Sequence, residues 1–197
     1  MKIAIVTPPA IEPVTLAEAK LHARIYGDLT DDDALVTSLI VAAREKLEAM
    51  TSRSFISRTL TATFDGFPSC ASGVLRLPYP PLQSVASITY ADESGAAQTL
   101  DPSVYTVSDG TPGLVMLANG KSWPAAAKQI ASVKVQFVAG YGATADDVPE
   151  VAKLIIRILV ASWFDRREAT ISGTIIADVP WTVAALADAL RWGAYAR

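Results

Sequence analysis

The chain has 197 residues, 51% of them hydrophobic and 19% charged, too apolar for a disordered protein and long enough to bury a core. Its 17 basic and 20 acidic side chains leave a formal charge of −3 at pH 7 and a pI near 5.2, which excludes a basic grip on nucleic acid by the chain as a whole. The single cysteine, Cys70, excludes an internal disulfide framework and a cysteine-based zinc site.

Charge is mildly graded, with net −3 over residues 1–52, −1 over 53–147 and +1 over 148–197, and no charged tail. The opening stretch has only a short apolar run, Ile3 to Val6, before Pro8 and Pro9. That run is too short for a signal segment or a membrane span. The longest apolar stretch, 154–164, is broken by Arg157. These features predict a soluble, intracellular protein with no membrane partner.

Residues 14–52 read as helical. Thr15 and Glu18 have the spacing of a capping box, opening a short helix that is expected to end near Gly27. Asp31, Asp32 and Asp33 then place acids in the first turn of a second helix, where the macrodipole favours them. Leu35, Leu39, Ala42, Ala43, Leu47 and Met50 follow at helical spacing, with Val36 and Ile40 widening the stripe. A short link between the two helices makes an αα-hairpin.

Residues 56–142 read as β. The clearest strand is 133–139, where Val133, Val135 and Phe137 alternate with Lys134 and Gln136. Residues 86–90 alternate similarly, before a turn at 91–95. Pro78, Pro80 and Pro81 mark a strand boundary or an exposed edge.

A third zone opens at Asp146, Asp147, Val148 and Pro149, which predict a helix start. Val151, Leu154, Ile155, Ile158, Leu159 and Ser162 form one face, and Ile156, Val160 and Trp163 another. A helix so apolar is expected to be a core helix buried on several sides, packed on the first two, and to stop after Glu168. Residues 169–197 carry Ile171, Ile175, Ile176 and, beyond the Pro180 break, a short helix from Trp181 through Leu186 and Leu190 toward Trp192 and Tyr195. Two tryptophans here require burial, either in this chain's core or in a partner's groove.

No catalytic constellation emerges. His22 is the only histidine and lies between Lys20 and Arg24, so it reads as a surface or helix-packing residue. The aspartates at 31–33 lack the alternating ligands and distal glutamate of a calcium loop. Gly140, Tyr141 and Gly142 lack the third glycine of a nucleotide-binding turn. Cys70 has no basic neighbour to activate it. Arg166 and Arg167, between Asp165 and Glu168, read as a helix-end charge cluster, or as an inter-subunit or phosphate contact. No cofactor and no metal are expected, and from its residues alone the chain is an α+β binding or assembly protein.

An ordered series of segments then becomes informative. It comprises 14–20 with its capping box, the acidic turn 31–33, 77–85 with Pro78, Pro80 and Pro81, the Ser122-Trp123-Pro124 triplet, 137–142, Val148-Pro149, and 163–168 from Trp163 to Glu168. Together they resemble the head–tail connector (adaptor) proteins of long-tailed bacteriophages and of phage-like gene transfer agents, over about 14–168. The resemblance implies a fold, an assembly and partners. The fold would be a small antiparallel helical bundle, with residues 1–55 as an N-terminal helical hairpin packed on helix 148–168. An antiparallel β module, 56–145, is inserted, and 169–197 forms a C-terminal arm. The assembly would be a roughly twelvefold homo-oligomeric ring beneath the portal protein, in a virion or phage-like particle made in a host cytoplasm. It would meet the next connector or stopper protein toward the tail and pass DNA without sequence-specific binding. Docking to the portal is expected from Ile175, Ile176, Trp181, Leu186, Leu190, Trp192 and Tyr195, and inter-subunit contacts from Asp31, Asp32, Arg166 and Arg167. The alternatives are a stopper or tail-completion protein, or a hydrolase using acids such as Asp65, Asp92 or Asp101, which would require raised carboxylate pKa values.

Overall fold

Local signals decide where the helices begin. Thr15 accepts from the Glu18 N–H at 3.2 Å while the Glu18 carboxylate accepts from the Thr15 N–H at 2.7 Å, so the capping box is complete. It opens α1, Leu16–His22. The helix stops earlier than expected. Ala23 closes it with its N–H on Ala19, and Arg24 turns the chain at φ 56°, so no glycine is needed. Gly27 lies outside the described residues: the computed structural model describes residues 1–26, 29–68, 73–166 and 181–191.

The chain is α+β, with four α-helices and two antiparallel sheets among the described residues. It divides into two units, residues 1–10 with 57–141, and 11–56 with 142–197.

The first unit is β. Its five-stranded sheet runs β1 (Lys2–Thr7), β2 (Arg58–Phe64), β8 (Val133–Ala139), β4 (Leu82–Ala91) and β5 (Ala97–Thr99), each antiparallel to its neighbour. A three-stranded sheet runs β3 (Leu75–Leu77), β7 (Gly113–Leu117) and β6 (Tyr105–Ser108). The alternation read at 133–139 holds, since Val133, Val135, Phe137 and Ala139 are fully buried. In register, Phe137 lies opposite Leu60 and Val85. Leu75, Leu77 and Val115 of the second sheet join the same core. The prolines at 78, 80 and 81 fall between β3 and β4, at the expected boundary. The sequence grouped residues 1–10 with the helices. Strand β1 instead pairs with β2, a long-range match that a short apolar run, Ile3 to Val6, does not announce.

The second unit is helical. Helix α2, Asp33–Thr51, packs on α1, on α3 (Glu150–Asp165) and on α4 (Trp181–Leu190). Helix α2 buries Val36, Ile40, Ala43 and Leu47 of the expected stripe together with Thr51, while Leu35, Leu39 and Met50 are half-buried and Ala42 is exposed. Apart from Thr51 these residues are apolar, and only the packing partners choose which of them are covered. Asp146 and Asp147 form a one-turn 3-10 helix, Ala145–Asp147, rather than the first turn of α3. Asp147 accepts from the Thr144 N–H at 2.9 Å and hydroxyl at 2.8 Å. Gly142 is required there, because a Cβ on it would stand 2.1 Å from the Asp147 carboxyl. Helix α3 is buried on both expected faces, as read from the sequence, though not along its whole length. It buries Ile155, Ile156, Leu159 and Val160 but leaves Val151 and Leu154 exposed.

Candidate functional site

Surfaces that bind other proteins are exposed apolar groups held on rigid elements. In the helical unit that rigidity comes from buried charges. Arg44 is 4% exposed; its guanidinium reaches Glu12 at 2.7 Å and Glu48 at 3.0 Å. Burial alone would lower the Arg44 pKa, but the hydrogen bond and the carboxylate charges outweigh it and raise the value. Glu48 also accepts from the Phe55 N–H at 3.3 Å, tying the chain beyond α2 back to the helix. Lys20, buried on α1, bridges the Leu29 carbonyl at 2.5 Å and Asp33 at 2.7 Å. Asp33 therefore serves an ion pair with α1, and Asp32 at the α2 N-cap makes no capping side-chain bond. Glu18 is held below its ordinary pKa by the Thr15 backbone and hydroxyl hydrogen bonds, helped by the charges of Arg157 and Lys153 and opposed by burial.

Around this frame α1 carries two apolar grooves. One, of about 420 Å³, is lined by Ile11, Val14, Leu16 and Ile40. The other, of about 460 Å³, lies along Leu16, Ala17, Leu21 and Ile25 beside Lys20 and Asp33. Leu21 is 80% exposed, and Tyr26 and Leu29 are exposed beyond it. Sequence reading missed this surface, whose only signal was the apolar residues Leu21, Ile25, Tyr26 and Leu29 in the short first helix and its link.

The expected portal-docking residues, and the expected inter-subunit residues Asp31, Asp32, Arg166 and Arg167, divide. Ile175, Ile176, Trp192, Tyr195 and Arg167 lie outside the described residues. Trp181, Leu186 and Leu190 stand on α4, the short helix expected there. Val183 and Ala187, one turn apart, are its buried residues, and α4 packs on α2 and α3. Arg53 Nε donates to the Leu190 carbonyl, and Arg191 Nε to the Met50 carbonyl at 3.3 Å, so cations serve the ends of both α4 and α2. Leu186 and Leu190 are half-buried, whereas Trp181 is 81% exposed. Asp31 is exposed just before α2, and Arg166 is exposed at the end of α3.

In the β unit, Phe67 stacks on Trp123 with ring centres 4.8 Å apart, and Tyr90 meets Phe67 edge-on at 5.6 Å. The Trp123 indole donates to the Gly73 carbonyl at 3.1 Å. The Ser122-Trp123-Pro124 triplet thus packs and caps a loop. The hydrolase alternative needed raised carboxylates. Asp92 is instead lowered to about 2 by hydrogen bonds from Ser94, Gln98 and Ala96, and Asp101 is lowered by those from Ser103. Among the described residues no cluster of three or more His, Cys, Asp or Glu side chains is arranged to hold a metal, and no helix is long and apolar enough to cross a membrane.

Residues 13–95 match the model of the phage gp6-like head-tail connector protein family. The match spans α1, α2 and the chain as far as the β4–β5 turn, and the connector resemblance read from the sequence holds there. No curated protein matches. Among solved structures, a chain from the neck of an empty gene transfer agent particle computed with C6 symmetry aligns at 21% identity with a TM-score of 0.79. A chain from the virion of a native gene transfer agent particle aligns at 22% and 0.79, and one from the neck of a native particle computed with C12 symmetry at 20% and 0.75. Each alignment covers 97% of this chain and 95% of the other. At these identities the alignments establish a shared fold.

Proposed function

We propose that this chain is a structural adaptor at the head–tail interface of a phage or phage-like particle. It assembles as a homo-oligomeric ring, twelvefold in the particle, beneath the portal protein. The ring joins the DNA-filled head to the tail, continues the DNA channel and receives the next connector or stopper protein. Its role is mechanical, without enzymatic activity or cofactor. The observation that carries this reading is the coincidence of the connector-family match with a fold shared over 97% of the chain with proteins of gene transfer agent necks.

The physical features agree. A ring built by rotation needs two different, complementary faces on each copy. The apolar grooves of α1 and the exposed Val151 and Leu154 of α3 are two such faces. The acidic residues before α2, including Asp31 and Asp32, and the exposed Arg166 that follows α3, with Arg167 next in sequence, offer charges of opposite sign. A net charge of −3 suits a conduit through which DNA must slide without being held. Exposed Trp181 is the anchor for the portal, with the rest of 169–197 extending that contact. The α1–α2 hairpin, packed with α3 as one bundle, favours an adaptor over a stopper or tail-completion protein.

The test is to mix the purified chain with the portal protein encoded beside it and to image the product by electron microscopy. A ring stacked on the portal is expected. A chain that stays monomeric in the presence of the portal refutes the assignment.

A further inference from the structure

The free edges of a β-sheet carry unpaired main-chain N–H and C=O groups, which proteins blunt unless a strand is to be added there. The five-stranded sheet ends in β1 on one side and β5 on the other. Strand β1 is six residues long, holds no acidic residue, and leaves Ile5 58% and Val6 52% exposed. Its regular pairing with β2 breaks at a bulge between Ile5 and Thr7, and Pro8 and Pro9 follow without N–H groups. The open strip is therefore residues 2–5. Strand β5, Ala97–Thr99, is three residues long and exposed at all three.

We propose that the β5 edge of one copy adds onto the β1 edge of the next, so that the sheet runs on between neighbours in the ring. This rests on the ring proposed above. Direction supports it. Four successive antiparallel steps, β1 to β2 to β8 to β4 to β5, give β1 and β5 the same chain sense within the twisted sheet. A twelvefold axis turns each copy by only one twelfth of a circle, so the two edges meet as parallel strands. Charge supports it as well. With Ile3, Ala4 and Ile5 along Ala97, Gln98 and Thr99, Lys2 falls beside Ala96. The Ala96 N–H donates to the Asp92 carboxylate at 3.0 Å, and exposed Glu93 lies in the same turn. The cation at the start of one edge thus meets the acids at the start of the other. Parallel pairing over so few residues sets the register between copies, while the larger apolar surfaces supply most of the contact area.

The test places Ala4→Cys and Gln98→Cys, both exposed positions, in a full-length Cys70→Ser chain assembled on the portal and then oxidised. The expected result is a ladder of covalent multimers on a non-reducing gel, absent from either single-cysteine chain, with Lys2→Glu lowering its yield several-fold. Slowed amide exchange at residues 3–5 in the ring, relative to the free chain, checks the pairing without any substitution. Rings on the micrographs without a ladder and without slowed exchange overturn the edge pairing and leave the adaptor reading intact. Dimers from Ala4→Cys alone, or a cross-link to the portal, overturn it in favour of another occupant. No ring at all refutes the adaptor reading and this inference with it.

Discussion

Replacing Trp181 by alanine separates docking from folding. An indole side chain presents about 150–250 Å². With 81% exposed, roughly 120–200 Å² of it is available to a partner. At about 25 cal/mol/Å² that area is worth about 3–5 kcal/mol if fully covered, and ordering costs on association reduce the net effect to about 2 kcal/mol. Trp181→Ala should therefore weaken portal binding about 30-fold. Because α4 is held by Val183, Ala187 and the Arg53 bond to Leu190, folding stability should change by less than about 0.5 kcal/mol. Calorimetric titration against the portal and a thermal melt of the same sample read the two quantities. Unchanged affinity rejects Trp181 as the anchor. A stability loss as large as the affinity loss refutes the reasoning too, since it would show the indole holding the fold. Truncation after Glu168 is a poorer test, because it also uncovers the α2–α3 surface beneath α4 and should lower the melting temperature.

Arg44→Met should cost about 3–5 kcal/mol by leaving the buried Glu48 charge without its guanidinium, with Arg44→Met/Glu48→Leu recovering most of the loss; urea unfolding of the single variant at a cost below about 1 kcal/mol would contradict the buried network. Gly142→Ala should destabilise by about 1 kcal/mol or more, because its Cβ displaces Asp147 from Thr144; an unchanged melt would show that the turn yields freely. Thr15→Ala should cost about 1 kcal/mol through the lost cap, measured by the same melt. Acid should weaken the fold in a defined direction. Glu18, Asp92, Asp101 and Asp147 all bind protons less readily in the folded chain. The stability they add is complete above an unfolded pKa near about 4 and fades as pH falls through the folded values, which for Asp92 is about 2. Asp92→Asn should remove part of that slope between about pH 4 and pH 2, and an unaltered acid profile would reject its role.

Sequence alone determined what depends on neighbours a few residues apart. The Thr15–Glu18 cap, the α1–α2 hairpin, the alternation at 133–139, the proline boundary before β4 and the helix from Trp181 were legible because caps, turns and side-chain periods are short-range properties. The ordered series of such segments also carried the connector resemblance that residues 13–95 bear out. Tertiary structure decided what depends on distant partners. It placed β1 beside β2, buried Val36, Ile40 and Ala43 of the α2 stripe while leaving Leu35 and Leu39 half-buried and Ala42 exposed, and left Val151 and Leu154 exposed on α3. It also buried Lys20 and Arg44 against carboxylates supplied by other elements. Burial and sheet order are set by which surfaces meet across the chain, and a local pattern offers two nearly equal faces without saying which one will be covered.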